Sequence, residues 1–285
     1  MNFAIASNNY RQTLTAPRRH GPLSANSQRL YSAYARKLDR HFGDLDLALV
    51  KNGRVKAYIE TLRAEDLSAS TIVGIFSVLK SIIASVKNED GERIYQQKLD
   101  ADFLALPILK PEPQTCATAA DVEKAIATGF PIVAFLAASG LRISETLALC
   151  VNGDADSYDL ATAVINIRET LKTRSANRSV ILPGIFRGWF SKHVPRSGRL
   201  FPNITYQRLH DALVSAGLPQ AHAYRRFRVS HLRQMRCQED ILRGQVGHSK
   251  ASITDHYSYQ DEAFAKREIE RCGLGFELTT KGEAR

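Results

Sequence analysis

Long apolar runs are missing from this chain of 285 residues. No stretch reaches the ~18 to 20 apolar residues of a membrane-spanning helix, so no transmembrane segment is expected. The first twenty residues, MNFAIASNNYRQTLTAPRRH, lack the basic start and continuous apolar block of a secretory signal, and a cytoplasmic protein is expected. Cysteine is sparse: Cys116, Cys150, Cys237 and Cys272 form no CxxC pair, and reduced, unpaired thiols are the expectation. There is no HExxH, no run of His, Asp and Glu with ligand spacing, and no GxxxxGK[ST] loop. The expected chemistry therefore uses neither metal nor nucleotide, and no cofactor is assigned. Internal repeats and low-complexity segments are also lacking.

Positive charge, in contrast, is in excess, with a formal net charge of +10. Residues 1–110 hold 16 Lys+Arg against 11 Asp+Glu, and residues 111–285 hold 23 against 18. The excess is thus shared by both halves and is no single basic tail. Such a distribution suits a polyanionic partner held by two basic domains.

The chain reads as two domains, as its length allows. Residues 1–24 are expected to form a flexible basic arm, because Pro17, Gly21 and Pro22 break helix around Arg18, Arg19 and His20. From Ala25 to residue 105 the pattern is helical. Leu30, Tyr34, Leu38 and Phe42 recur every four residues before Gly43. Val55, Ile59 and Leu62 mark a second helix. Ile72, Ile75, Phe76, Leu79, Ile82, Ile83 and Val86 mark a third, started by Ser70 or Thr71. A fourth is expected from Glu92 to Leu104. Residues 106–118 carry Pro107, Pro111 and Pro113 and read as a linker.

A second domain is expected over 119–260. Helices are predicted at Ala119–Thr128, Ile132–Ala138, Ile185–His193 and Thr205–Ala216, and a basic β-hairpin at Ala163–Glu169 and Arg178–Leu182. Within ASGLRISETLALC, Gly140 ends one helix, and Ser144 with Glu145 begins the next. Arg142 then sits at a turn beside a helix N-terminus, a place suited to an anion. Residues 261–285 form a charged tail, helical to Arg271, with Phe264, Ile269 and Leu274 as its apolar residues.

The chemistry concentrates between His222 and Tyr257. His222 and Arg225 are three apart and share one helix face. Gly247 and His248 follow, and Tyr257 lies nine positions beyond that histidine. Arginine grips phosphate oxygens with paired donors. Histidine moves protons near neutral pH, and tyrosine becomes a nucleophile once deprotonated.

This spacing, with SGLRISE and LAL around Arg142, resembles the tyrosine recombinases (the phage-integrase family). Motifs carry the resemblance from about Ala119 to Tyr257, and layout alone carries it before that. One departure is Arg226, where the family usually has a histidine after H-x-x-R. The resemblance implies a mainly α chain with an α+β catalytic domain. A four-helix core-binding domain would precede a mostly helical catalytic domain with a small antiparallel sheet. The implied catalytic set is Arg142, Lys172, His222, Arg225, His248 and Tyr257, with Glu145 bracing. Lys172 takes its role by its place just after the first hairpin strand; Arg174 and Arg178 are rivals for it. Arg36, Lys37, Arg40, Lys80, Lys87, Arg174 and Arg178 are further phosphate contacts to expect.

The implied activity is site-specific DNA strand cutting and rejoining through a 3′-phosphotyrosyl link. The implied partner is double-stranded DNA with inverted-repeat core sites, in the nucleoid. A monomer or weak oligomer would assemble into a tetramer on paired sites, each protomer passing its tail to a neighbour. The same chemistry would equally serve a type IB topoisomerase or a hairpin-resolving enzyme. A DNA-binding regulator that cuts nothing is the alternative of another class.

Overall fold

The computed structural model describes residues 1–16, 23–110, 113–168, 177–247 and 261–278. The chain divides into two compact units, Met1–Glu112 and Pro113–Arg285. The division falls inside the proline-bearing stretch 106–118.

Among the described residues the first unit is built on four α-helices: α1 (Phe3–Thr13), α2 (Ala25–Phe42), α3 (Asn52–Ala64) and α4 (Ala69–Ser85). The expected loose arm is therefore corrected over its first half. Asn2 accepts the Ile5 N–H at 3.0 Å and starts α1. Phe3, Ala6, Tyr10 and Leu14 then bury one stripe of that helix in the core. Arg18, Arg19 and His20 lie outside the described residues. Helix α4 starts at Ser68, whose Oγ accepts the Thr71 N–H at 3.3 Å, two or three residues earlier than expected. Gly74 lets α4 approach α2 closely, since a Cβ there would stand 2.8 Å from the Tyr34 ring.

The helix expected over Glu92–Leu104 does not form. Asn88 accepts the Glu92 N–H at 2.8 Å across a turn in which Gly91 has φ +81°. An isolated bridge joins Lys87 to Arg93, and Asp100 caps a further turn through the Asp102 and Phe103 N–H groups. Side-chain turn formers outcompete helix here.

The second unit is mainly helical around a small sheet. Helix α5 (Ala119–Ala127) begins with a reciprocal cap between Thr118 and Asp121. Helix α6 (Pro131–Ser139) is apolar all round, with Ile132 to Ser139 all buried, so it forms the centre of the unit. Helices α7 (Ile143–Ala148), α8 (Gly184–Phe190), α9 (Tyr206–Ser215), α10 (Ala221–Gln234), α11 (Glu239–Val246) and α12 (Glu262–Cys272) surround it. Among the described residues five short strands, β1 (Cys150–Val151), β2 (Ser157–Tyr158), β3 (Val164–Ile167), β4 (Arg178–Ile181) and β5 (Gly198–Arg199), pair in the order β4-β3-β2-β1-β5. The β1–β2 pair is parallel and the rest antiparallel, so the sheet is mixed rather than purely antiparallel. Phe135 of α6 and Phe186 and Phe190 of α8 join Phe201 in one aromatic cluster.

Helix α12 packs within its own unit. Ala265, Ile269 and Cys272 are buried against Leu232, Cys237, Ile241, Leu242 and Val246. The Glu270 carboxylate accepts the Gly184 N–H at the start of α8 and pairs with Arg187 at 3.0 Å. Among the described residues no helix is long and apolar enough to cross a membrane.

Candidate active site

Three chain segments converge where α6 gives way to α7. Gly140 takes a left-handed conformation, φ +70°, and ends α6. Arg142 is then the N-cap residue of α7. Its backbone N–H donates to Glu145 Oε2 at 2.8 Å, and its Nη1 donates to Glu145 Oε1 at 2.8 Å. Glu145 thus closes the first turn of its own helix and holds the arginine that precedes it.

The Glu145 carboxylate is also gripped from β4. Arg178 donates Nη2 to Oε2 at 2.8 Å and Nη1 to Oε1 at 3.2 Å. This is a fork-on-fork pair between two buried side chains. Burial pushes the Glu145 carboxyl upward. The Arg178 hydrogen bonds and charge, then the Arg142 N–H and guanidinium, more than offset that and hold it below its ordinary value. Arg178 further donates Nε to the Gln245 carbonyl at 3.1 Å, while Gln245 Oε1 accepts the Ile181 N–H at 3.2 Å. Strand β4 and helix α11 are fastened together around the ion pair.

Helix α10 supplies the third arginine. Arg225 is 4% exposed and donates to the Gly140 carbonyl at 2.5 Å and the Val246 carbonyl at 2.6 Å. Burial and the neighbouring Arg142 charge push its guanidinium down to about 10, which leaves it protonated at neutral pH. Among the described residues two of its five N–H donors serve those carbonyls, and the others have no partner. His222, one turn earlier on the same face, is exposed at its rim. Partial burial, then the charges of Arg226, Arg225 and Arg142, hold its imidazole below the ordinary value. It is therefore neutral at pH 7.

Arg142, Arg178 and Arg225 carry three positive charges in this cluster, and Glu145 carries its one negative charge. A surplus of fixed, partly desolvated positive charge beside the first turn of a helix is an anion site. The hydroxyl-free guanidinium donors can neutralise two non-bridging phosphate oxygens, and the neutral imidazole can accept a proton.

Of the residues singled out in the sequence, the structure brings Arg142, His222 and Arg225 together. Lys172, Arg174, His248 and Tyr257 lie outside the described residues. Arg178 is corrected: it is buried and engaged with Glu145 and Gln245, so it is neither a surface contact with DNA nor a rival for the hairpin lysine's role. In the first unit Arg36, Arg40, Lys80 and Lys87 are exposed. Lys37 is half-buried and paired with Glu65, and the Lys80 ammonium lies over the Phe76 ring. Arg226, where the family pattern has histidine, donates to the Thr115 carbonyl at 2.7 Å and ties the start of this unit to α10.

Sequence reasoning missed the bracing roles of Arg178 and Gln245. A signal for the first was present, since strand alternation puts Arg178 on the same face as the fully buried Val180. Gln245 carried none.

No family model matches the chain, and no curated protein sequence matches it. Solved structures do. The Tn1549 transposon integrase in complex with transposon right end DNA is similar with a TM-score of 0.66 and 19% identity, over 95% of this chain and 99% of that one. The XerH site-specific recombinase bound to difH substrate gives 0.57 and 14%, over 93% and 94%. Lambda integrase, as a tetramer bound to a Holliday junction, gives 0.63 and 13%, over 92% and 80%. The chain therefore has the fold of the integrases and site-specific recombinases, the tyrosine-recombinase fold that its motifs led us to expect.

Proposed function

We propose that this chain is a site-specific DNA recombinase of the tyrosine-recombinase family. The observation that carries the reading is the arginine cluster. Arg142 and Arg225 stand with spare donors at an anion site, on a fold whose solved examples are integrases and recombinases on DNA. Phosphoryl transfer needs mainly positioning and charge neutralisation, and those are what such a site supplies.

In this reading Tyr257 attacks a DNA phosphate in line, forms a 3′-phosphotyrosyl link and releases a 5′-hydroxyl. A 5′-hydroxyl from a partner strand then attacks that link and restores a phosphodiester. Arg142 and Arg225 hold the non-bridging oxygens, and His248 hydrogen-bonds the same phosphate. His222, neutral at pH 7, takes the tyrosine proton, and Lys172 protonates the departing 5′-oxygen. The substrate is double-stranded DNA with inverted-repeat core sites, bound by four protomers on two sites. Exposed Arg36, Arg40, Lys80 and Lys87 contribute phosphate contacts.

Nicked suicide duplexes made from the DNA flanking the reading frame test this. The parent protein should form a covalent protein–DNA adduct, and Tyr257→Phe should bind the same DNA and form none. An adduct mapped to Tyr259 or another residue would sink the assignment of the nucleophile. Relaxation of supercoiled plasmid that lacks any core site would place the chemistry with the type IB topoisomerases instead.

A further inference from the structure

Two cysteines that lie far apart in the sequence meet where α12 packs on the turn between α10 and α11. Cys237 follows the end of α10, and Cys272 is the last residue of α12. Both are buried, at 8% and 3% exposure. Glu268 precedes Cys272 by four positions and so lies on the same face of α12. The two sulfur atoms and a Glu268 carboxylate oxygen all lie within 4.8 Å of one another. No CxxC spacing announces this group, because its members come from separate elements.

A second observation points the same way. Arg228, on α10, is 2% exposed and donates to the Gly273 carbonyl at 2.5 Å. Among the described residues no carboxylate pairs with it, and its guanidinium lies beside the Cys272 and Cys237 side chains. A buried cation without a counter-ion is costly. Thiolates held by a divalent ion would set anionic sulfur beside this guanidinium.

We propose that Cys237, Cys272 and Glu268 bind a thiophilic divalent metal ion of the zinc class. Two thiolates and one carboxylate are an appropriate ligand set, and tetrahedral sites of this type place ligands at ~2.0 to 2.3 Å from the ion. Small side-chain rotations close the group onto the metal, and solvent takes the fourth position. Glu268 is 17% exposed in its side chain and forms the way in; its two oxygens accept from Arg271 Nε and Nη2 at 2.9 and 2.8 Å, and binding the ion exchanges one of those bonds for the metal. Both thiols lose a proton to solvent on binding, so no electron changes hands. The ion would fasten α12 to the α10–α11 turn of its own chain. This inference does not depend on the DNA chemistry.

Cobalt(II) is the probe, added to the full-length reduced protein with zinc(II) as competitor. One equivalent should bind and give thiolate-to-cobalt charge-transfer absorption that zinc abolishes. Cys272→Ala should lose that absorption, and zinc should raise the Tm of the parent but not of Cys272→Ala. Glu268→Gln keeps both thiols and the buried packing. It should fold normally by circular dichroism and bind cobalt at least tenfold more weakly, which keeps the test open if the cysteine variant fails to fold. Absence of thiolate–cobalt absorption in the parent overturns the proposal. So does absorption that Cys272→Ala and Glu268→Gln both leave unchanged.

Discussion

The two units keep their cores in different ways. Among the described residues the only buried polar side chain of the first unit is Ser7. The second unit buries Glu145, Arg178, Arg225, Arg228 and Gln245, with Asp156 and several hydroxyl groups. The first unit is held by apolar stripes and presents its cations on the surface. The second takes charges out of water, which costs several kcal/mol per ion before pairing offsets it. A fold keeps such charges when their fixed positions matter more than the stability an apolar core would give. Preorganised cations around a phosphate are such a case.

Several substitutions would break or sharpen this contrast. Glu145→Ala has the largest expected effect. It strands Arg178 inside and leaves three guanidinium groups facing one another. Loss of one partner of a buried pair costs about 3–5 kcal/mol. Urea denaturation should show the second unit unfolding far earlier and the first unit unchanged; equal stability would mean that the carboxylate is not the keystone of the cluster.

Phe3→Ala asks the same question of the first unit. Phe3 is fully buried, and its ring lies tilted against that of Phe42 with centroids 5.6 Å apart. Truncating a buried Phe costs roughly 3–5 kcal/mol. The loss should appear in the transition of the first unit alone, and a neutral result would return residues 3–13 to the status of an arm.

The imidazole of His222 gives an intermediate effect, seen in rate rather than stability. Its folded value lies below the ordinary ~6.5. It therefore stays neutral, and able to take a proton, at neutral pH and somewhat below ~6.5. The cleavage rate should hold through pH 6.5 and fall only at lower pH, and His222→Gln should remove that acid limb. The same depression makes protonation unfavourable to the fold, so any stability it lends is present at higher pH and is lost as pH falls through that lowered value. An acid limb that survives in His222→Gln would assign the proton transfer elsewhere.

Lys37→Ala should do least. Its ion pair with Glu65 is on the surface, where such pairs contribute below about 1 kcal/mol. Thermal unfolding should barely move, whereas DNA affinity at low salt should drop if Lys37 leaves Glu65 for a phosphate.

Much of the fold was legible in the sequence because local signals agreed with tertiary ones. Helices α5 to α9 follow from caps, stripes and breakers within a few residues of their ends. Helix α1 was missed because Pro17, Gly21 and Pro22 suggested an arm. Its stripe of Phe3, Ala6, Tyr10 and Leu14 includes an alanine that hydrophobic periodicity weighs lightly. Strands β1, β2 and β5 are two residues long and have no period to read. In the site, Arg142, His222 and Arg225 were found by motif, and the structure brings them together. The Glu145–Arg178 pair was not found, because its members are 33 positions apart and only the fold joins them.

Gly247 carries a consequence for how this protein tolerates change. Its φ of +65° already disfavours side chains, and an added Cβ would stand 2.6 Å from Arg178 Nη1 and 2.8 Å from Cζ. A single methyl group there must dislodge the guanidinium that grips Glu145, and through Glu145 the placement of Arg142. The wall behind the anion site is thus set by an absent side chain. In a random library, inactive clones should gather at this glycine, and those that recover should carry second changes at position 178 or 245, away from any atom that meets the phosphate.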